Sequence, residues 1–166
     1  MASHCIDAAN VDLKAFTEDF YRERVGGKLK PVLENIRLMK QLGMWIEITT
    51  LVIPGLNDSE EELRNIAEFI QDVSDDIPWH LSAYYPQFKS RIQATEASKI
   101  EQAQKIGKEA GLKYVYGGNV YSNDLETTYC CNCGQPLIKR SGFSVSSNRL
   151  EGNSCPNCGH GMHGVF

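Results

Sequence analysis

The most constraining feature of the sequence is a pair of short cysteine motifs near its carboxyl end. Each motif reads C-x-x-C-G, and 21 residues lie between the last cysteine of the first motif and the first cysteine of the second. Their four sulfur ligands are Cys130, Cys133, Cys155 and Cys158. Four thiolates on two tight turns meet the tetrahedral requirement of a closed structural zinc site, and iron held by the same sulfurs is the alternative. The motifs therefore predict a metal centre.

The segment that carries these motifs, residues 122–166, has the composition of a small β zinc ribbon. It is rich in Gly, Ser and Asn, and short strands are predicted at 137–138 and 143–145. A segment of roughly 40 residues rarely builds a sufficient core alone, so a bound metal would supply the missing stability. His160 or His163 could replace a thiolate, but the paired motifs make four cysteines the simpler ligand set. A site closed by four thiolates is structural rather than catalytic.

Residues 1–121 alternate between apolar strands and amphipathic helices. Strands are predicted at 10–14, 44–53, 79–84 and 113–116, and helices at 17–24, 31–42, 60–73 and 96–110. Gly26, Gly43 and Gly111 stand where helix ends are expected. Short loops and near-continuous apolar strands indicate parallel strands joined by right-handed crossovers. The predicted fold class is α/β, with about four parallel strands in an open sheet or in the arc of a partial, TIM-like (β/α) barrel.

Three of the predicted strands carry polar side chains on one face. Residues two apart in a strand share a face, and the sets that do so are Asp12 with Lys14, Glu47 with Thr49, and His80 with Ser82 and Tyr84. In a barrel arc these faces would line a wet, ligand-binding interior. Alternatively, the polar groups are solvated or paired near strand ends. The loop at 53–58 has the position of a ligand loop, but a turn followed by a helix cap explains its residues.

A further set of segments extends over nearly the whole chain from about Asp7. It comprises residues 10–14, 26–27, 32–36, 47–58 and 114–120, together with the two cysteine motifs. This combination resembles the carboxyl-terminal half of radical SAM proteins related to pyruvate formate-lyase activating enzyme. The AmmeMemoRadiSam-system branch of that family, which carries such a cysteine tail, is the most similar.

The resemblance implies a (β/α)6 partial barrel whose interior holds a [4Fe-4S] cluster and S-adenosylmethionine. Reductive cleavage of that cofactor gives a 5′-deoxyadenosyl radical, which takes a hydrogen atom from a substrate, often a glycine on a partner protein. The cofactor-binding positions implied by the resemblance are Asp12, Lys14 and Thr49, with Glu47 and His80 as neighbours on the inward faces.

The sequence departs from the family at the cluster. The family motif C-x-x-x-C-x-x-C does not occur in it. Thr49 stands where activating enzymes often have Arg, and Tyr85 where relatives often have His. The first hypothesis is therefore the carboxyl-terminal part of a radical SAM enzyme, truncated or encoded separately and inactive alone, with an amino-terminal half or a substrate protein as partner.

Two other hypotheses stay open. The chain could be a zinc-ribbon binding module that docks a partner chain, or a second copy of itself, through the unpaired edge of its barrel arc. It could also be a fragment without an activity of its own.

Charge and hydropathy exclude some function classes. The chain has 17 basic and 21 acidic residues, for a formal charge of −4. A general nucleic-acid binder would show a basic face, so no nucleic-acid partner is expected. No run approaches the ~18 apolar residues of a membrane span, and the first residues lack the pattern of a signal peptide. The expected location is the cytoplasm.

Overall fold

The structure is a computed structural model that describes residues 6–120, 124–142 and 144–164. The predicted domain boundary at 122–124 falls mostly on residues outside these ranges. The division into residues 1–121 and 122–166 therefore stays a prediction. Within the described residues, no helix combines the length and the apolar character needed to cross a membrane.

A parallel β-sheet forms the centre of the first part of the chain. Its strands are β1 (Ala8–Asp12), β2 (Trp45–Val52), β3 (Trp79–Ala83) and β4 (Val115–Gly118). Within the described residues they pair in chain order, each parallel to the next. All four predicted strands are present, although β1 begins and ends two residues earlier than expected and β4 two residues later.

Helices connect these strands and cover one face of the sheet. They are α1 (Glu18–Phe20), which continues into a π-helical turn (Tyr21–Val25), α2 (Leu29–Gln41), α3 (Glu60–Val73) and α4 (Ala97–Glu109). Ser59 caps α3 as predicted, since its hydroxyl accepts a hydrogen bond from the Glu62 amide at 3.1 Å. Pro31 is the third residue of α2 rather than its first, within the first turn where proline is tolerated.

The core lies between the sheet and these helices. Trp79 is completely buried there, and its indole N–H donates to the Thr50 hydroxyl at 2.9 Å. That hydroxyl in turn donates to the carbonyl of Leu13 at 2.9 Å, so every polar group in this line is satisfied. The face of the sheet that the helices cover is therefore packed into the core. A ligand has to approach the opposite face, which we call the inner face.

A second, antiparallel sheet follows in the cysteine-rich part of the chain. Its strands are β5 (Thr128–Tyr129), β6 (Pro136–Ser141) and β7 (Ser144–Asn148), with β6 in the middle. Both predicted strands are present and longer than expected, Phe143 lies outside the described residues, and β5 was not predicted. The two sheets confirm the predicted combination of an α/β arc and a small ribbon. We call the described residues from Thr128 to Gly164 the ribbon.

The ribbon packs against the first sheet at Tyr114 and Tyr116. Tyr114, directly before β4, is buried in a cluster with Cys130, Leu137, Cys155 and Met162 of the ribbon. The apolar centre of the ribbon therefore includes a side chain from the larger part of the protein, which fixes the ribbon at the amino-terminal end of β4.

Candidate functional site

The inner face of the parallel sheet presents a lateral row of polar side chains. In the strand register the row consists of Asp12, Thr49, His80 and Tyr116, one from each strand in order. Residues paired in register point to the same side of a sheet, so these side chains are neighbours. Three of the five residues predicted to contact a cofactor therefore stand side by side, and sequence reasoning missed Tyr116.

Glu47 and His80 form the best-defined polar pair on this face. The ring N–H at Nε2 of His80 donates to Oε2 of Glu47 at 2.8 Å, and the Trp45 indole N–H donates to the other carboxylate oxygen at 3.2 Å. The hydrogen bond from His80 holds the pKa of the Glu47 carboxyl below its usual value. The His80 ring also stacks on Tyr116, with ring centroids 5.3 Å apart. His80 is thus fixed in position on two sides.

Asp12 and Lys14 form a second pair at the carboxyl end of β1. The Lys14 ammonium lies 3.0 Å from the Asp12 carboxylate, and both side chains are substantially exposed. Thr49 donates a hydrogen bond to the side-chain oxygen of Asn10 at 3.0 Å. Among the described residues, no hydrogen bond or ion pair joins Asp12 or Lys14 to Glu47 or His80. The predicted cofactor residues therefore form two bonded pairs, Asp12 with Lys14 and Glu47 with His80. In the strand register Thr49 lies between Asp12 and His80.

The loop after β2 is held by its own side chains. Asn57 is 1% exposed, and its amide donates to the carbonyls of Lys14 at 2.6 Å and Leu51 at 2.8 Å. Its side-chain oxygen accepts from the Ile53 amide at 2.7 Å. These contacts support the interpretation of the loop as a turn and cap, because the amide of Asn57 is used for binding backbone rather than a ligand.

A cavity of about 730 Å³ lies between the inner face of the sheet and the ribbon. The sheet contributes Trp45, Glu47, His80 and Tyr116, and the ribbon contributes Arg140, among others. Asp12, Lys14 and Thr49 do not line it. The cavity therefore lies over the amino-terminal ends of β1 and β2 and along β3 and β4. Ligands of open α/β sheets and barrels bind instead at the carboxyl ends of the strands.

The four predicted metal ligands come together in the ribbon. The sulfurs of Cys130, Cys133, Cys155 and Cys158 all lie within 4.8 Å of one another. In each motif the final glycine has a left-handed backbone, with φ of 73° at Gly134 and 71° at Gly159, and donates its amide to the carbonyl of the first cysteine of its motif. A residue with a side chain is strained in that conformation, which explains the glycine in both motifs. This group of four sulfurs is able to bind a metal ion.

Two asparagines that were not predicted link the cysteine motifs to each other. The amide of Asn132, in the first motif, lies 3.5 Å from the Cys158 sulfur, and the amide of Asn157, in the second, lies 3.5 Å from the Cys133 sulfur. Each asparagine precedes the last cysteine of its own motif. This repeated position was the signal in the sequence that could have identified them.

These amides change the acidity of the thiols that they contact. The Asn157 amide is the main cause that lowers the pKa of Cys133 to about 6. The Asn132 amide likewise lowers the pKa of Cys158. Burial instead raises the pKa of Cys130 to about 12. At the sulfurs of Cys133 and Cys158 the amide favours the thiolate, the form that binds a metal.

The neighbouring candidates for metal binding point elsewhere. Cys131 lies beside Tyr114, with 3.9 Å between the hydroxyl and the sulfur, and His163 Nδ1 is 3.0 Å from the same hydroxyl. Among the described residues, His160 has a buried Nε2 without a hydrogen-bond partner, and it is not part of the group of four sulfurs. Four cysteines, rather than three and a histidine, form the ligand set that the structure brings together.

Comparison with known proteins relates the chain to one family. Residues 1–70 match the family model of the radical SAM superfamily. An uncharacterized protein of Methanocaldococcus jannaschii is 40% identical over 141 residues, which are 84% of this chain and 42% of that protein. The chain thus spans less than half the length of this curated relative.

Two solved structures share the fold. A domain of pyruvate-formate lyase-activating enzyme from Bacteroides vulgatus superposes with a TM-score of 0.61 at 19% identity, over 71% of each chain. A radical SAM methyltransferase from Sphaerobacter thermophilus superposes with a TM-score of 0.52 at 18% identity, over 76% of this chain and 37% of that one. The match over residues 1–70 relates that part of the chain to the radical SAM superfamily, and the two solved structures show a shared fold.

Proposed function

We propose that this chain supplies the carboxyl-terminal part of an activating-enzyme-like radical SAM barrel and depends on another polypeptide segment for the iron–sulfur cluster. The row formed by Asp12, Thr49, His80 and Tyr116 is the observation that carries the proposal. A sheet that packs helices on one face and presents polar side chains on the other is suited to line a ligand-filled barrel interior.

The cysteines of this chain do not fit the cluster. Four of those that the structure describes belong to the sulfur group of the ribbon, and Cys131 lies beside Tyr114. Cys5 lies outside the described residues, and the spacing C-x-x-x-C-x-x-C is absent from the sequence. Three thiolates for a [4Fe-4S] cluster must therefore come from elsewhere, and without them the chain alone has no cluster to pass an electron from a reductant to S-adenosylmethionine.

The carboxyl end of the inner face suits the amino-acid end of that cofactor. S-adenosylmethionine carries an ammonium group and a carboxylate. Asp12 and Lys14 are an accessible acid and base 3.0 Å apart, so each can exchange its partner for the opposite charge of the ligand. Glu47 lies two residues before Thr49 on β2, and in this proposal Glu47 and His80 support the floor of the pocket.

Zinc is the metal that we propose for the ribbon. Four thiolates in a closed group are a typical zinc donor set, and such a site contributes to folding rather than to catalysis. A site of this kind needs free thiols, which agrees with a reducing compartment such as the cytoplasm. Metal analysis of the purified chain should give about one zinc per chain, whereas iron in its place would refute this assignment.

The test of the main proposal is restoration of activity. The chain is mixed under anaerobic conditions with a polypeptide that carries C-x-x-x-C-x-x-C and the barrel strands that precede β1, and 5′-deoxyadenosine is measured after addition of a reductant. We expect product only from the mixture, and less of it with the variant Lys14→Ala than with the surface control Lys105→Ala. Equal product with and without the chain would refute the proposal.

A second function is favoured by the edge of the sheet. Within the described residues β1 pairs with β2 alone, so its other edge offers backbone N–H and C=O groups to a further strand. As a binding module, the chain would dock a partner chain or a second copy at this edge. Light scattering that shows a strict monomer, together with no affinity for the cluster-bearing polypeptide, would exclude this role.

A further inference from the structure

The cavity between the sheet and the ribbon has the properties of a small-molecule site. Its volume of about 730 Å³ is within the roughly 300–1,000 Å³ of typical ligand pockets. Its walls are mostly apolar, with Trp45 and Tyr116 from the sheet and Ile138, Leu150 and Met162 from the ribbon. This cavity shares Glu47 and His80 with the floor of the cofactor pocket proposed above, but Asp12 and Lys14 do not line it. It does not require the cluster, so it goes beyond the proposed function.

Most of the acidic groups around the cavity are already satisfied. Both oxygens of Glu47 accept hydrogen bonds, one from His80 and one from Trp45. The carboxylate of Glu126 accepts from the Gly142 amide at 2.9 Å. Asp7 is exposed at the amino-terminal end of β1. Glu47 and Glu126 therefore already accept hydrogen bonds from the protein.

Arg140 is a cationic cavity-lining group with hydrogen-bonding capacity to spare. Its Nη1 donates to the Thr128 hydroxyl at 2.7 Å and to the Glu126 carbonyl at 3.2 Å, and its guanidinium lies 5.8 Å from the centre of the Tyr116 ring. Among the described residues, Nη2 and Nε have no hydrogen-bond partner. Nε and Nη2 form one edge of the planar guanidinium, and this edge matches the two oxygens of a carboxylate.

We propose that this cavity binds a small organic acid with an apolar body, whose carboxylate is held by the free edge of the Arg140 guanidinium. The apolar body contacts Trp45 and the aliphatic side chains of the ribbon. In this proposal the ribbon takes part in binding, because it supplies one wall of the site and the positive charge that holds the carboxylate.

Three probes of equal shape test this proposal on the full chain with its metal bound. They are 3-phenylpropionate, 3-phenylpropanol and 3-phenylpropylamine, which are respectively anionic, neutral and cationic. Binding is measured by titration calorimetry and by tryptophan fluorescence, to which Trp45 in the cavity wall contributes. A charge-assisted contact predicts that the acid binds at least about tenfold more tightly than the alcohol. Equal or tighter binding of the alcohol or the amine, or no binding of any probe, would overturn the proposal.

Substitution of the arginine separates the anchor from the cavity. Arg140→Gln should remove the preference for the acid while binding of the alcohol stays unchanged, and Arg140→Lys should lose part of it because lysine lacks the planar fork. Arg149→Gln, an exposed position in the ribbon, is the matched control. Metal content and circular dichroism verify that each variant is folded. If Arg149→Gln weakens acid binding as much as Arg140→Gln, the assignment of Arg140 is wrong.

Discussion

Asn157 donates its side-chain amide to the sulfur of Cys133 over 3.5 Å, so that a residue of the second cysteine motif contacts a ligand of the first. Asn132 makes the reciprocal contact with Cys158. The two motifs are thus joined by side-chain amides as well as by the metal that their sulfurs are able to hold. Such contacts to a ligand atom stabilise its thiolate and fix its direction.

Replacement of Asn157 should weaken metal binding without unfolding the ribbon. Loss of a hydrogen bond to a metal ligand typically reduces affinity by about 10- to 100-fold, and we expect Asn157→Ala to fall in that range. The measurement is competition with a chromophoric zinc chelator. Asn35→Ala, an exposed position on α2, is the control and should leave the affinity unchanged. An Asn157→Ala protein that binds zinc like the native chain would contradict the role given to this amide.

The pair of Glu47 and His80 should make stability depend on pH. The hydrogen bond from His80 holds the pKa of Glu47 below its usual value, so the stabilisation is present above the unfolded-state pKa of about 4.3 and is lost as the pH falls through the lower folded-state value. Both side chains are about one third exposed, at 34% for His80 and 36% for Glu47, so solvent screening limits the effect to below about 1 kcal/mol.

The measurement is the free energy of urea unfolding of the native chain and of Glu47→Gln from about pH 7 to about pH 3.5. The variant should be less stable near neutral pH, and the difference should shrink toward acid. Glu101→Gln, an exposed position on α4, should show no such trend. A difference that grows as the pH falls would contradict the assigned sign.

Two adjacent glycines in β4 should respond differently to the same substitution. A Cβ at Gly117 would lie 2.6 Å from a side-chain carbon of Ile100 and 3.2 Å from Leu125, whereas a Cβ at Gly118 would have nothing within 4 Å. Gly117→Ala should therefore destabilise the fold by about 1–3 kcal/mol, as overpacking does. Gly118→Ala should change stability by less than about 0.5 kcal/mol. Denaturant unfolding of both variants checks this, and equal losses would show that the packing at Gly117 is misassigned.

Asn57 should be important for stability although it lies in a loop. Its buried side chain satisfies the backbone of Lys14, Leu51 and Ile53, so Asn57→Ala leaves two carbonyls and one amide without partners. A buried polar group without a partner costs about 1–3 kcal/mol. Because water can reach some of the three groups, we expect a total loss of about 3 kcal/mol in the free energy of unfolding. Asn35→Ala again serves as the control. A loss below about 0.5 kcal/mol would mean that these bonds are dispensable.

Local sequence signals predicted most of the elements. The apolar spacing of Leu63, Ile66 and Ile70 corresponds to the buried face of α3, and the cap at Ser59 marks its start. The limits of β1 were less accurate, because the end of a strand depends on where its neighbour can pair. Register with β2 places the strand at Ala8–Asp12, so that Lys14 lies beyond its end.

Contacts between distant segments could not be predicted in this way. The sequence does not indicate that Arg140 lies over Tyr116, or that Tyr114 joins the apolar cluster around Cys130 and Cys155. These contacts depend on how the ribbon folds back over the inner face of the sheet, and no local pattern encodes that arrangement. The sequence pattern predicted the polar face of the sheet. It did not predict the ribbon residues that lie opposite that face across the cavity.

We propose that the chain supplies one part of a radical SAM site and depends on another polypeptide segment for the cluster. The most direct test is anaerobic reconstitution of the purified chain alone with iron, sulfide and a reductant, followed by addition of S-adenosylmethionine. We expect no [4Fe-4S] spectrum and no 5′-deoxyadenosine. A stoichiometric cluster together with cleavage of S-adenosylmethionine by the chain alone would contradict it.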